Sequence, residues 1–399
     1  MIAPMADTSS LAQNLRRLRD AKKLSQATVA DKAKLSRVAY GNIEAGSANP
    51  RVDTLMRIAD ALEIKLQELL VPTRTLRAVR FRAAKKMTSR EQVLVDVARW
   101  LDDYNELEDL LDNHVKFKLD KVARSFANKA NDKRAIEAAA AARKALGLER
   151  DDETIRDICG LLQERAGIKV YPYPLASDGF FGLSVGDEDG GPAIVVNVWD
   201  RISVERWIFT AAHELGHLLL HLRSYDVARS DLGDEDKLHE HEADRFASHF
   251  LMPDSVFKRE WQDARGLSFV DRVLKIKRIF KVSYRTVLYR LRDHDAPQDI
   301  WMQFQVAYAR RSGHTLKKAD EPGALAPADF DASMAVEEIV AARAADEPKR
   351  LSSEDFVEDR LSFLVRTAID RQQISVSRGA EILGLDLREM RERVASWID

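Results

Sequence analysis

Residues 213–217 read His-Glu-Leu-Gly-His. On a helix, two histidines four positions apart stand about 40° apart around the axis and one turn apart along it. Both imidazoles then reach a single Zn2+ at about 2.0–2.1 Å. Glu214, beside the first histidine, is placed to act as general base towards a water at the metal and then as proton donor to a leaving amine. The motif sits in residues 207–221, Trp-Ile-Phe-Thr-Ala-Ala-His-Glu-Leu-Gly-His-Leu-Leu-Leu-His. Ile208, Ala211, Ala212, Leu215, Leu218, Leu219 and, just beyond, Leu222 carry the spacing of a core-facing helix. Two histidines and a glutamate on such a helix are costly to bury unless a metal or other partners compensate them.

A third protein ligand is expected from a second helix over residues 240–253, Glu-His-Glu-Ala-Asp-Arg-Phe-Ala-Ser-His-Phe-Leu-Met-Pro. Its apolar stripe is Ala243, Phe246, Ala247 and Phe250. At 100° per residue, Glu240 projects about 60° from the stripe centre and Glu242 about 100°, so Glu240 is the better inward-facing ligand and Glu242 its close competitor. Asp244, one turn after Glu240, is placed to hold a ligand histidine by its second ring nitrogen. His221 continues the i+4 row and is expected behind the ligands or in the pocket wall, and His239, His241 and His249 lie near in sequence. The strand-like run 193–198 precedes the motif, and an edge strand there could take an extended substrate as an added strand, or be ordinary core. No residue stands out as the electrophile for a developing oxyanion; Tyr171 and Tyr173 are the candidates.

The other end of the chain points to different chemistry. Residues 1–90 hold 18 basic and 8 acidic residues in a chain whose total charge is −2, so the remainder is acidic. That asymmetry points to nucleic acid as the partner of the basic end. Leu11, Leu15 and Leu18 recur at helical spacing, Ser25 and Ser36 are plausible N-caps, Gly46 and Asn49-Pro50 stop the third helix, and Asp53 opens a fourth with Leu55, Ile58, Ala59 and Leu62 on one face. In a helix-turn-helix, the helix over 36–44 would enter the major groove of a double-stranded DNA operator. Ser36, Arg37, Val38 and Asn42 would then face bases or phosphates, with Gln26 at the start of the preceding helix. Such proteins bind two-fold sites as homodimers.

These sites need elements to position them. The chain has 399 residues, 45% hydrophobic and 32% charged, enough to bury more than one core. Three strand-like runs, 168–173, 180–185 and 193–198, sit among helices, so the fold class is mainly α with a small β-sheet (α+β). The expected division is 1–72 for DNA binding, 73–134 a basic, helical connector, 135–311 the zinc domain, 312–350 a Gly/Pro/Ala/Asp-containing linker, and 351–399 a small C-terminal helical domain. Residues 74–90 carry seven basic residues and no acid. They read as a solvated helix face or a phosphate-contacting extension. The single cysteine, Cys159, excludes an intramolecular disulfide framework and fits a cytoplasmic location. No apolar run of about 18 residues suggests a membrane partner.

Leu24-Ser25-Gln26, Ile43-Glu44-Ala45-Gly46 and Asn49-Pro50 resemble the Xre/Cro-type helix-turn-helix of phage repressors. The phrases Phe209-Thr-Ala-Ala-His-Glu-Leu-Gly-His and 240–253 resemble the ImmA/IrrE family of zinc metallopeptidases. That resemblance implies zinc on His213, His217 and Glu240, a catalytic Glu214, and a thermolysin-like helical core with a small sheet. It favours the Glu240–Asp244 pairing over Glu242. It further implies cleavage of a repressor or antitoxin-like protein in a prophage, stress-response or toxin–antitoxin setting. The residues Ile374 to Leu385 resemble the small C-terminal helical domain of such fusions. The alternative expectation is a non-enzymatic repressor or antitoxin whose peptidase-like domain senses a ligand, metal or partner.

Overall fold

The structure, a computed structural model, describes residues 8–22, 24–64, 66–70, 76, 79–83, 90–127, 129, 131–148, 154–177, 179–221, 234–294, 296–317, 320–323 and 350–397. Leu222 and most of the expected 312–350 linker lie outside these residues. The chain divides into two compact units: Met1–Leu76 with Lys86–Asp102, and Arg77–Lys85 with Asp103–Asp399. As expected, helices dominate and one small sheet is present.

The first unit is a bundle of α1 (Thr8–Ala21), α2 (Gln26–Lys32), α3 (Arg37–Glu44), α4 (Val52–Leu62) and α5 (Leu66–Leu70), followed by the N-terminal part of α6 (Arg90–Leu111). Ser25 caps α2 by accepting from the Thr28 amide, and Ser36 caps α3 by accepting from the Ala39 amide. Each such cap stabilises its helix by about 1 kcal/mol. The apolar period closes a core of Leu11, Leu15, Leu18, Val29, Tyr40, Ile43, Ile58 and Leu62. Among the described residues of that unit the buried acid is Glu44, which takes a two-pronged ion pair from Arg19 at 2.8 Å and a bond from Gln26 Nε2 at 3.0 Å. Burial alone would raise the Glu44 carboxyl, but the bonds from Arg19 and Gln26 hold it below the usual range.

The second unit is built on a four-stranded sheet of β1 (Val79–Ala83), β2 (Lys169–Tyr173), β3 (Phe180–Val185) and β4 (Ala193–Asn197), in the order β1-β3-β4-β2. β1 and β4 both run antiparallel to β3, and β2 runs parallel to β4. β4 is buried along its whole length, as a central strand must be. The helices are α7 (Asp120–Phe126), α8 (Arg134–Ala145), α9 (Ile158–Gly160, continued by a π-helical turn over Leu161–Ala166), α10 (Val204–Leu220), α11 (Asp234–Leu251), α12 (Asp254–Asp263), α13 (Phe269–Phe280), α14 (Tyr284–Arg292) and α15 (Ile300–Ser312). α16 (Arg360–Asp370), α17 (Val376–Leu383) and α18 (Leu387–Ala395) follow. α10 is the central helix, packed on β3 and β4 on one side and on α11 and α8 on the other.

Within the 74–90 run, β1 corrects the helical reading at 79–83; residues 74, 75, 77, 78 and 84–89 lie outside the described residues. Val79-Arg80-Phe81-Arg82-Ala83 alternates apolar and basic residues, the period of a strand. The charge of the run masked that period. The C-terminal segment also joins the second unit. Phe356 belongs to its core, with its ring 6.0 Å from that of Trp207. Arg360 ties α16 to buried Glu108 on α6 at 3.1 Å, and Lys169 reaches the same carboxylate at 3.3 Å. Among the described residues, no helix is long and apolar enough to cross a membrane.

Candidate metal centre and DNA-facing helix

α10 is flanked by Ser203 and His221, and its apolar residues are almost all buried. His213, Glu214 and His217 are buried with them. α11 crosses α10 at Gly216, where an added Cβ would stand 3.0 Å from the Phe246 ring. The missing side chain lets the two helices approach closely enough for Glu240 to reach the histidines. His213 Nε2 and His217 Nε2 stand 3.0 Å apart. Glu240 Oε1 is 3.1 Å from His217 Nε2, and Glu240 Oε2 is 3.3 Å from His213 Nε2. Ligand atoms of these three residues all lie within 4.8 Å of one another, a grouping able to hold a metal ion.

The outer nitrogens of both rings are engaged. His213 Nδ1 meets Asp244 Oδ1 at 2.8 Å. His217 Nδ1 meets His221 Nδ1 at 2.9 Å, and His221 Nε2 meets Glu242 Oε2 at 2.9 Å. Arg134 Nη1 approaches Glu242 at 3.3 Å, and its Nη2 donates to the Leu220 carbonyl. Burial lowers the His217 imidazole to about 3 and the His221 imidazole to about 2, so both rings are neutral at pH 7. With neutral rings, one assignment satisfies the chain. Glu242 accepts from His221 Nε2, His221 Nδ1 accepts from His217 Nδ1, and Asp244 accepts from His213 Nδ1. Both Nε2 atoms then face each other and Glu240. Burial by itself would raise Glu240, yet its contacts with His213 and His217 hold the carboxyl far below the usual range, so it is ionised. That donor set, two imidazoles and a carboxylate, is one that suits zinc.

Glu214 faces the sheet. Ser184 Oγ on β3 donates to Glu214 Oε2 at 2.8 Å. A Cβ on Gly182 would stand 2.6 Å from Thr210 and 3.4 Å from Glu214 Oε1, so β3 approaches α10 closely because Gly182 has no side chain. Arg80, on β1, stands opposite Ser184 and places Nη1 3.3 Å from His239 Nδ1. The His239 ring stacks on His221 with centroids 4.0 Å apart. Ser184, Arg80 and Arg134 were not singled out from the sequence. Only the alternation of 79–83 signalled one of them; the other two reach the site through pairings far apart in the chain.

Other candidates are dispersed. Tyr171 and Tyr173 sit on β2, which sheet order places at the opposite edge from β1. β4, considered as an acceptor of an added strand, is paired on both sides. His241 is exposed, and His249 turns to buried Arg290, whose Nη1 is 2.6 Å from His249 Nε2. In the first unit, α3 turns Tyr40 and Ile43 inward and leaves Ser36, Arg37, Val38 and Asn42 exposed. Val38 is 72% exposed. Gln26 is half-buried against Glu44, so it braces α2 on α3.

Comparison with known proteins agrees with this division of labour. Residues 15–69 match the family model described as Helix-turn-helix, and residues 163–292 match the model described as IrrE N-terminal-like domain of the M78 peptidases. Over 59 residues, 15% of this chain and 51% of the relative, the sequence is 41% identical to the uncharacterized HTH-type transcriptional regulator YqaE of Bacillus subtilis (strain 168). The chain thus spans about half the length of the curated relative it matches. It carries an Xre-type helix-turn-helix region and an IrrE/ImmA-like peptidase domain.

Proposed function

We propose that this chain is a DNA-binding transcriptional regulator with a zinc-dependent endopeptidase domain that cleaves a repressor or antitoxin-like protein. Its setting would be a prophage, stress-response or toxin–antitoxin-like operon. The observation that carries the reading is the convergence of His213 Nε2, His217 Nε2 and Glu240 within 4.8 Å, beside buried Glu214. His213, His217 and Glu240 would hold zinc. Asp244 would orient His213, and Glu242 through His221 would orient His217. When bound, the metal supplies Lewis acidity towards a peptide carbonyl and makes a nearby water easier to deprotonate. Glu214 takes the proton from that water and delivers it to the leaving amine. Ser184 holds the Glu214 carboxylate by one oxygen.

In the same reading, residues 1–72 bind a two-fold operator as a homodimer, with Ser36, Arg37, Val38 and Asn42 at the groove and Gln26 at its margin. The peptidase role belongs to the second unit, which takes in β1 at 79–83 as well as the region from 135 onward, with 351–399 as its C-terminal helical part. The test is metal analysis of the purified chain, followed by co-expression with proteins encoded beside it, comparing wild type with Glu214→Gln. About one zinc per chain is expected, lost in His213→Ala/His217→Ala. A partner protein should be cut by wild type alone. Retained stoichiometric zinc in the double variant overturns the metal assignment. Equal cleavage by Glu214→Gln overturns the base. Normal regulation with no cleavage under any condition replaces the enzyme with a metal-holding regulator.

A further inference from the structure

The strand nearest the metal helix is β3: Ser184 bonds to Glu214, and Gly182 lies against Thr210 and Glu214. Its inner edge is paired with β4. Its outer edge is the one an extended peptide would need in order to lie along the site by main-chain hydrogen bonds. That edge is taken by β1, five residues of the same chain, running antiparallel with Val79 opposite Val185, Arg80 opposite Ser184, Phe81 opposite Leu183 and Arg82 opposite Gly182. The register breaks after Arg82, so the pairing is short.

Directly opposed residues on antiparallel strands point to the same face. Ser184 points to Glu214, so its partner Arg80 points to the metal-site face. Its contact with His239 agrees with this, since the His239 ring covers His221 behind His217. β1 therefore fills a strand position and also places a side chain beside the cluster. A strand that served only to close the sheet would need no residue there.

We propose that β1 is an internal occupant of the peptide-binding edge. Residues 79–83 hold the position of an extended protein substrate, and a substrate enters only when β1 leaves. This rests on the peptidase reading above and adds its regulation. The substrate class it implies is an extended segment that pairs antiparallel with β3 and sets one side chain in the Arg80 position.

The test reads peptide binding rather than turnover. The probe is a dye-labelled synthetic peptide of residues 77–85, added in trans to the full-length chain. Val79→Pro/Phe81→Pro removes main-chain donors and the strand geometry of β1. Phe81→Cys/Leu183→Cys, oxidised, locks β1 in place; the one native cysteine, Cys159, is buried and does not compete. The proline variant should bind the peptide roughly tenfold or more tightly than wild type, because apparent affinity follows the fraction of molecules whose edge is open. The oxidised variant should not bind it, and reduction should return wild-type binding. The proposal is overturned if the oxidised variant binds like wild type. It is also overturned if the proline variant keeps full zinc content yet gains nothing. Should the proline variant lose zinc through misfolding, the oxidised and reduced pair alone decides. Cleavage within 77–86 in wild type but not in Glu214→Gln would make the segment a substrate and overturn its blocking role. Failure of the peptidase reading shows elsewhere, as absent zinc or absent cleavage with these binding results unchanged.

Discussion

Helices α3 and α10 handle polar residues in opposite ways. α3 turns Tyr40 and Ile43 into its core and leaves Arg37, Val38 and Asn42 in solvent. α10 buries His213, Glu214 and His217 among leucines and alanines. An exposed arginine costs the fold nothing and is free to meet a phosphate or a base edge. A buried imidazole must find a partner for each nitrogen, so α10 needs Asp244, His221, Glu242 and Ser184 around it. A recognition surface can thus be carried by one helix, whereas a reaction site has to be assembled from several elements. α3 itself makes an exception at its last residue, buried Glu44, and there Arg19 and Gln26 supply the partners.

The sharpest way to break this contrast is Glu214→Gln. The amide cannot take a proton, so cleavage should fall by about 10²–10⁴-fold while zinc content and operator binding persist. Parallel cleavage, metal and gel-shift assays check it, and a loss of operator binding would mean the units are not independent in function.

Next in size is Glu44→Ala. It leaves Arg19 half-buried without its carboxylate, which should cost the first unit about 3 kcal/mol and abolish operator binding at moderate temperature. Zinc stoichiometry should not change. A thermal melt in which the two units are read separately tests this.

Arg37→Ala addresses the exposed face. It should weaken operator binding by about 1–3 kcal/mol, concentrated at one base position, with no change in melting temperature. A uniform loss over all sequences would move Arg37 from base reading to phosphate contact.

The smallest effect is a pH slope in the second unit. Burial, and then the Arg290 charge, hold the His249 imidazole well below its ordinary value of 6.5. The unfolded chain takes up that proton and the folded chain does not. The His249 contribution is therefore complete above pH 6.5 and is lost as pH falls below it. Urea midpoints should drop by the equivalent of about 1 kcal/mol from about pH 7.5 to about 5.5. His249→Gln should remove that share of the slope and leave the share of His217 and His221, whose imidazoles burial also holds down.

Periodicity and caps were legible before any coordinates. The apolar spacing around 204–220, the serine caps at 25 and 36, and three of the four strands follow from local rules of side-chain direction and backbone satisfaction. The small sheet among helices follows from the same patterns. The fourth strand was also written in the sequence, as the alternation Val79-Arg80-Phe81-Arg82-Ala83, but its charge made it read as a basic connector. An arginine pointing inward, as Arg80 does, suits a strand only where a polar cluster receives it, and His239, its partner there, lies more than a hundred positions away.

The sequence by itself determined which side chains could act: two histidines one turn apart, a glutamate between them, acids one turn apart on a later helix, and a basic helix-turn-helix. These are matters of spacing within one element, where 3.6 residues per turn sets the geometry. Tertiary structure alone decided how they are partnered. Glu240 meets both ring nitrogens while Glu242, two residues on, meets His221, because Gly216 lets α11 cross α10 at close range and the helical twist sends the two acids to different neighbours. Ser184 reaches Glu214, and β1 closes the edge of β3, through pairings between segments distant in the chain. Such contacts arise from burying one core, which joins residues by packing and satisfied hydrogen bonds rather than by their order in the chain.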